Sequence, residues 1–277
     1  MILIKIKGGL GNQLFQYATA FALSREFNTK LILDLDFFSS ENNENPRREF
    51  ELNKFNISYK NKIDWFKNIK TLIPNKLKLI ESNFNYNKII YTKPFLHLEG
   101  YFQSEKYFSK YKNEIINQFT LNNKLSTSAQ IILNLINTTT NSISLHIRRG
   151  DYLNENNTIY NQCSLVYYKN AILYITNTLS NYKLFIFSDD IEWCKTKFNF
   201  LYDKVYYCDL NTKPEEDIIL MSSCNHNIIA NSSFSWWGAW LNLNEKKSVV
   251  APEKWFNTSD LNTQDLIPKN WVKIKNN

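Results

Sequence analysis

The chain has 277 residues, of which 43% are hydrophobic and 15% are aromatic, so it can bury a sizeable core and is not intrinsically disordered. Its 33 basic and 26 acidic residues give a formal charge of +7, which favours an anionic partner such as a nucleotide or an anionic membrane face. The lysines are spread along the chain rather than gathered in one arm, which argues against a nucleic-acid-binding protein.

The cysteines and the start of the chain bear on the cellular compartment. Cys163, Cys194, Cys208 and Cys224 lack the paired spacing of a zinc site or a disulfide framework, so reduced and mostly buried thiols are expected. The chain starts directly in an apolar strand, without a signal-peptide pattern, and no apolar run reaches the length of a membrane span. We expect a cytoplasmic protein, with peripheral association at the inner membrane face as an open alternative.

The first elements form a β-α-β unit. Residues 2–6 are an apolar strand, a glycine turn follows, an apolar stripe predicts a helix to about Phe27, and Leu31–Leu33 is the second strand. This start is similar to a dinucleotide-binding fold, with Asp34 placed for a ribose. Leu14, however, occupies the third glycine position of that fingerprint, which disfavours an NAD-dependent oxidoreductase.

Two acidic residues follow the second strand. Asp34 and Asp36 have the Asp-x-Asp spacing with which a metal-dependent sugar-nucleotide transferase can hold a divalent cation against a diphosphate. Acidic residues after a strand more commonly shape a turn or cap a helix. The metal-dependent transferase is therefore kept as an alternative.

A boundary between two domains is predicted in the middle of the chain. Residues 122–142 are rich in Asn, Thr and Ser around one apolar helix. We therefore predict domains at 1–138 and 139–277, with the C-terminal tail either in the second domain or packed back on the first.

The second half has a regular α/β pattern. Apolar residues alternate with Ser144, His146 and Arg148, which predicts a strand that ends at Gly150. The elements that follow are predicted as helix 165–179, strand 184–187, strand 205–208, helix 214–224, strand 227–230, helix 235–240 and strand 248–251. Strands that alternate with helices predict a parallel sheet covered on both faces.

Polar groups that suit a nucleotide follow three of these strands. Arg148 lies on the same side as His146, and its planar guanidinium suits a phosphate group. Asp189 can accept two hydrogen bonds from guanine, while Ser232 and Ser233 precede a helix N-terminus that can cradle a phosphate. Ligands of open α/β sheets bind beyond the carboxyl ends of strands, so these groups favour a nucleoside-diphosphate donor site.

Each of these groups also has a structural interpretation. Asp189 and the two serines can be helix caps, and Arg148 can be a surface charge or pair with Asp151. The three tryptophans Trp236, Trp237 and Trp240 have helical spacing that favours core packing over stacking on a sugar. A non-catalytic glycan-binding module therefore stays open as a second alternative.

Five segments in a fixed order carry a family signature. They are GGLGNQLFQYA at 8–18, GYFQSEKYF at 100–108, HIRRGDY at 146–152, FSDD at 187–190 and NSSFSWWGAWL at 231–241. Together they resemble the motif set of the family 11 glycosyltransferases, the α-1,2-fucosyltransferases, over nearly the whole chain.

This resemblance implies both a fold and a reaction. The fold is an α/β GT-B architecture, in which two Rossmann-like domains face each other across a cleft, acceptor-side first and donor-binding second. The reaction is transfer of L-fucose from GDP-fucose to the 2-hydroxyl of a terminal β-galactose with inversion, in O-antigen or capsule biosynthesis. No metal or other cofactor is required, which disfavours the metal site at Asp34 and Asp36. A lipid-linked acceptor would bring such a bacterial enzyme to the membrane face.

The resemblance places the donor at the strand ends of the second domain. The expected donor-binding residues are His146, Arg148, Asp189, Asn231, Ser232, Ser233 and Phe234. The His-x-Arg-Arg motif of such enzymes is associated with the donor phosphates, a role that falls here on Arg148. Arg148 and the amides near Ser232–Phe234 are expected to stabilise the charge that develops on the leaving diphosphate.

The acceptor is expected to meet the glycine loop of the first domain. The residues assigned to it are Gly9, Gly11, Asn12 and Gln13. Asp151 is the expected general base, with Glu155 as the other nearby carboxylate. Loss of the proton to water or phosphate, with Asp151 only orienting an arginine, also stays open.

Overall fold

The computed structural model describes residues 1–39, 48–61, 78–90, 95–150, 162–258 and 260–276. It confirms an α/β protein built on two parallel sheets. The chain divides into two compact units: unit 1 is Met1–Asn123 with Asn262–Pro268, and unit 2 is Lys124–Leu261 with Lys269–Asn277.

Unit 1 is built on a five-stranded sheet. Its strands are β1 (Ile2–Lys5), β2 (Leu31–Asp34), β3 (Lys60–Asn61), β4 (Lys78–Ile80) and β5 (Leu96–Glu99). Its described helices are α1 (Leu10–Glu26), α2 (Asp36–Ser39) and α3 (Lys112–Gln118), with 3-10 turns at Leu52–Lys54, Glu105–Tyr107 and Ser109–Tyr111. The strand order is β3-β2-β1-β5-β4, and every pair is parallel.

The helix α1 is buried on almost every side. Apolar residues such as Leu14, Tyr17 and Ala18 have no exposed surface, which their helical spacing predicted. The polar residues Gln13 and Gln16 are equally buried, although they fall outside that apolar stripe. A buried amide must find hydrogen-bond partners, so these two glutamines are candidates for organising the loops around the helix.

Unit 2 is built on a six-stranded sheet. Its strands are β6 (Ser142–Ile147), β7 (Lys183–Ser188), β8 (Val205–Tyr207), β9 (His226–Ile228), β10 (Val249–Pro252) and β11 (Val272–Ile274). Its described helices are α4 (Thr127–Thr138), α5 (Leu165–Thr176), α6 (Ile191–Lys197), α7 (Pro214–Ser223) and α8 (Ser233–Leu241), with a 3-10 segment at Asn199–Lys204. The order is β11-β10-β9-β6-β7-β8, again entirely parallel.

The two faces of β6 bury different chemistry. Ile143, Leu145 and Ile147 enter an apolar cluster with the buried face of α5. On the opposite face, Ser144 accepts a hydrogen bond from the Asn227 side chain (2.7 Å). Alternation along the strand therefore sends His146 and Arg148 to the side of Ser144, as the sequence predicts.

The tryptophans of α8 belong to the core, as predicted. Trp236 and Trp237 have no exposed surface, and Trp240 is almost fully buried. Their rings pack on one another with centroid distances of 5.0–6.0 Å. The cysteines are also as expected, since all four are free thiols and Cys163, Cys194 and Cys224 are buried.

The division into units differs from the predicted boundary at 138/139. Helix α4 lies in unit 2 because its N-cap residue Ser126 donates its amide and its hydroxyl to the Glu216 carboxylate of α7, at 2.6 and 3.0 Å. The C-terminal segment Asn262–Pro268 lies in unit 1, where Asp265 O accepts a hydrogen bond from Ser104 Oγ (2.7 Å). The spacing of apolar residues predicts the helix α4, but it does not show against which of the two sheets the helix packs.

Some elements have no clear sequence pattern. Strands β3, β4, β5 and β11 are only two to four residues long, which is too short for a period-2 pattern to stand out. No helix among the described residues is both long and apolar enough to cross a membrane.

Candidate functional site

The exit of β6 is held by a carboxylate from the neighbouring strand. Asp189 follows β7 and accepts hydrogen bonds from the backbone amides of Arg149 (2.9 Å) and Gly150 (3.0 Å). A Cβ atom at Gly150 would lie 2.7 Å from Asp189 Oδ2, so a larger residue there would displace the carboxylate. We call this arrangement the Asp189 clamp.

The clamp also fixes Arg148. Its Nη1 atom lies 2.9 Å from Asp189 Oδ2, with both side chains about three-quarters buried. Asp189 therefore orients a cation, in addition to holding the turn that carries it. Recognition of guanine by Asp189 stays a prediction, since both carboxylate oxygens bind protein groups in this structure.

Arg149 points to the other side of the strand exit, as predicted. Its Nε atom lies 2.9 Å from Asp190 Oδ2, and its guanidinium lies 4.0 Å above the Trp193 ring. Asp190 also accepts the amide of Trp193 and is the N-cap of α6 (3.1 Å). The capping role considered for Asp189 therefore belongs to Asp190, and Arg149 is a structural residue.

His146 lies on the same side as Arg148, as predicted. Its ring centroid is 5.4 Å from that of Phe234, near the start of α8. Burial, with a smaller effect of the Arg148 charge, lowers the pKa of His146 to about 3, so the ring is neutral at physiological pH. Among the described residues, no group forms a hydrogen bond with its buried Nδ1.

The start of α8 lies beside this strand exit. Strand β9 is the other neighbour of β6, and the chain passes from it through Ser232 into α8. Ser232 is extended and makes no side-chain cap bond, and the first turn of the helix has no acidic residue. The first amides of a helix lack intrahelical acceptors, so this end can bind a phosphate next to Arg148.

The Asn231 side chain forms contacts within unit 2. Its Nδ2 donates to the Trp255 carbonyl (3.0 Å), and Cys163 Sγ lies 3.5 Å from its Oδ1. The side chain is almost fully buried. Its amide therefore tethers two loops of unit 2, and its assignment as a donor-binding residue stays a prediction.

Asp151 and Glu155 fall outside the described residues, so the structure bears on neither of them.

The glycine loop of unit 1 is organised by Gln13. Its Nε2 donates to the carbonyls of Gly8 (2.9 Å) and Glu49 (2.8 Å), and its Oε1 accepts the amide of Glu51 (2.9 Å). Gly8 has a φ of +77°, which suits glycine. The Gln13 amide thus binds backbone groups on both of its polar atoms, and its assignment to substrate hydroxyls stays a prediction.

Asn12 is the polar side chain of this loop that faces Gln103. Gln103 Nε2 donates to Asn12 Oδ1 (2.8 Å), which fixes the orientation of the Asn12 amide. A Cβ at Gly8 would lie 2.9 Å from Asn12 Nδ2, and one at Gly9 would lie 3.6 Å from Arg48 Nη1. Gly9 is the N-cap of α1 and Gly11 is buried in its first turn.

A second carboxylate clamp holds the exit of β5. Glu81 follows β4 and accepts the amides of Tyr101 (2.6 Å) and Phe102 (3.0 Å). Phe102 has a φ of +53°, a strained value for a residue with a side chain. A Cβ at Gly100 would lie 2.4 Å from Glu81 Cβ. We call this arrangement the Glu81 clamp.

Sequence reasoning missed Glu81 and Gln16. Gln16 links the two loops of unit 1, because its Oε1 accepts the Lys7 amide and its Nε2 donates to the Gly100 carbonyl, both at 3.0 Å. Gln16 lies in the first of the five family segments, at 8–18, so its position could have marked it as important. Glu81 follows a three-residue strand in an uninformative stretch, so nothing local marked it.

Asp34 behaves as a turn residue. Its Oδ1 accepts the amide of Asp36 (3.1 Å), the usual arrangement after a strand. Within the described ranges, no cluster of three or more His, Cys, Asp or Glu side chains could hold a metal ion.

The sequence matches one family and several curated relatives. Residues 1–275 match the family model described as Glycosyl transferase family 11. An "Alpha-1,2-colitosyltransferase" of Escherichia coli is 38% identical over 295 residues, covering 99% of both chains. An "O-antigen biosynthesis glycosyltransferase WbnK" of the same species is 33% identical, covering 97% of this chain and 99% of that one.

Solved structures share the fold at low identity. The fucosyltransferase NodZ from Bradyrhizobium superposes with a TM-score of 0.51 at 12% identity, covering 86% of this chain and 92% of that one. Arabidopsis thaliana FUT1 in complex with GDP gives a TM-score of 0.53 at 10% identity, covering 98% and 75% of the two chains. At this identity the likeness shows the fold alone.

Proposed function

The chain belongs to glycosyl transferase family 11, and we propose that it transfers L-fucose from GDP-fucose to the 2-hydroxyl of a terminal β-galactose, with inversion and without a metal ion. The observation that carries the proposal is the Asp189 clamp, which fixes the Arg148 guanidinium at the exit of β6, and the neighbouring strand β9 leads into α8. A fixed cation and the backbone amides at a helix N-terminus are groups that stabilise a leaving diphosphate.

The chemistry follows from where charge develops. As the bond between the anomeric carbon and the diphosphate oxygen breaks, the sugar becomes oxocarbenium-like and negative charge grows on the diphosphate. Arg148 and the amides at Ser233 and Phe234 stabilise that charge without having to reorganise. The neutral His146 adds an uncharged polar group on the same side of the β6 exit as Arg148.

On the opposite face of the sugar, the galactose hydroxyl forms the new bond to the anomeric carbon. The hydroxyl proton passes to a carboxylate, for which we propose Asp151, as the first acidic residue after the arginine motif. In unit 1, Asn12 is the proposed contact to the acceptor, because Gln103 presets the orientation of its amide.

A second donor is favoured by one comparison. The relative of 38% identity is named a colitosyltransferase, whereas galactoside fucosyltransferases such as the mouse protein Sec1 are 24% identical over 87% of this chain. Colitose is fucose without its 3-hydroxyl group, so one diphosphate site serves both donors. The name of the Escherichia coli relative WbnK favours a role in O-antigen synthesis.

The test is incubation of the protein with a galactose-ended acceptor and, in parallel, GDP-fucose, GDP-colitose or GDP-mannose. We expect transfer from GDP-fucose, unchanged by EDTA, with an α-1,2 linkage in the product by NMR. Transfer from GDP-colitose alone would replace fucose by colitose in the proposal. Loss of activity in EDTA would contradict the metal-free mechanism, and absence of any product would favour a glycan-binding module.

A further inference from the structure

Unit 2 carries an exposed apolar surface that the proposed reaction does not use. On α5, the residues Tyr167, Tyr168, Ala171, Ile172 and Ile175 face the core. The opposite side carries Val166, Leu173 and Tyr174, each more than half exposed. Large apolar side chains on the outer face of a surface helix indicate an interaction site rather than a packing requirement.

A neighbouring segment extends this surface with aromatic residues. The Lys169 Nζ atom of α5 lies 5.1 Å from the centroid of the Phe200 ring, which joins the helix to the 3-10 segment Asn199–Lys204. In that segment, Tyr202 is 85% exposed and has a φ of +49°. We call Val166, Lys169, Leu173, Tyr174, Phe200 and Tyr202 the α5 patch.

The charge around the patch is mainly positive. Lys169 is the only charged residue of α5, and Lys197 and Lys204 lie on either side of the aromatic segment. Asp203 is the one acidic residue between them, and the whole chain has a charge of +7. Lysines can keep their ammonium groups in water while their stems lie along apolar surface, and tyrosine places a ring and a hydroxyl at an interface in the same way.

From these observations we infer that the α5 patch docks the protein on an anionic lipid surface. Aliphatic and aromatic side chains would enter the boundary between headgroups and acyl chains, while the lysines meet the lipid phosphates. This inference concerns a surface of unit 2 and does not depend on which sugar is transferred.

The experiment is flotation of the full chain with two kinds of vesicle, one of phosphatidylcholine and one with about one quarter phosphatidylglycerol. We expect binding to the anionic vesicles only, weakened by added salt. The double variant Leu173→Ser/Tyr174→Ser should bind about tenfold more weakly, because it removes two of the largest apolar contacts. Its melting temperature and its turnover of a soluble galactoside should match the parent.

The matched control is Ile131→Ser/Leu135→Ser on α4. These two side chains are also exposed and apolar, at 48% and 39%, but α4 carries no lysine. The control should bind vesicles like the parent. Failure of the parent to bind anionic vesicles, or equal weakening by both double variants, would overturn the inference. So would light scattering that shows a dimer which only Leu173→Ser/Tyr174→Ser dissociates, since a second copy would then occupy the patch.

Discussion

The two carboxylate clamps share one geometry and differ in electrostatics. In each unit, a carboxylate after one strand accepts two consecutive amides at the exit of the neighbouring strand, at a glycine where an added Cβ atom would lie 2.4 or 2.7 Å from the acidic side chain. Asp189 is also paired with the Arg148 guanidinium. Glu81 is more deeply buried, and burial raises its pKa despite the two amides and the nearby Lys7 charge.

This difference assigns the clamps to different tasks. In the Asp189 clamp, one carboxylate holds both the turn after β6 and the Arg148 guanidinium, so the conformation of the turn and the position of the charge depend on each other. A clamp without such a cation holds only the backbone, here the turn that leads to Gln103 and through it to Asn12. We therefore expect changes in unit 2 to affect the donor step and changes in unit 1 to affect the acceptor.

The largest effect is expected for Arg148→Lys. The ammonium keeps the charge but loses the planar fork that bonds to Asp189 and the diphosphate together, so kcat/KM should fall about 100-fold. Steady-state kinetics with GDP-fucose measure the loss. Arg149→Lys is the matched control, and it should lower the melting temperature while leaving kcat within about twofold, because Arg149 packs on Trp193. Equal kinetics for the two variants would remove Arg148 from the diphosphate site.

The next largest effects are expected for substitution of the glycines in the two clamps, Gly100 and Gly150. Gly100→Ala should destabilise unit 1 by about 3 kcal/mol, because the new methyl group meets Glu81 Cβ, which lies close to the backbone and cannot move alone. Gly150→Ala should cost about 1 kcal/mol, because the methyl group meets a carboxylate oxygen at the end of a side chain. Urea unfolding followed by circular dichroism gives both values. The reverse order of stability would show that the Asp189 carboxylate is the more rigid of the two.

Replacing each clamp carboxylate by its neutral amide tests the donor and acceptor roles of the two clamps separately. Asp189→Asn should lower kcat about tenfold, because Arg148 loses its charged partner while the side chain keeps its size. Glu81→Gln should raise the KM for the acceptor about threefold and leave kcat unchanged, because the turn before Gln103 loosens. Initial rates with each substrate varied in turn distinguish the outcomes. A fall in kcat for Glu81→Gln as large as that for Asp189→Asn would refute the division of tasks.

The smallest effect concerns pH. The raised pKa of Glu81 means that the folded chain binds this proton more tightly than the unfolded chain does. The resulting stabilisation is complete below the ordinary glutamate pKa and is lost as the pH rises through the raised value. Glu81→Gln lacks that proton. The difference between the melting temperatures of the parent and of this variant should therefore shift against the parent by about one degree between pH 4 and pH 7. A constant difference across this range would show that Glu81 titrates normally.

Local patterns predicted much of unit 2 and, in unit 1, mainly the opening elements β1, α1 and β2. The alternation through β6, the helices α5 and α7, and the buried tryptophans of α8 all follow from the spacing of apolar residues. Strands β3, β4 and β5 did not stand out, because two to four residues leave little room for a period-2 pattern.

The sequence by itself determined the α/β class, the family, and the placement of His146 and Arg148 on one side of a strand exit, because these depend on local periodicity and ordered motifs. Only the tertiary structure decided what each polar side chain binds. Gln13 and Asn231 hold backbone carbonyls and Glu81 holds two backbone amides, contacts that no local pattern indicates. The physical reason is that a buried polar group must form hydrogen bonds with whichever partner the fold brings near. In the two clamps, and in the bonds from Gln13 to Glu49 and from Arg149 to Asp190, that partner lies 20 to 41 residues away in the chain.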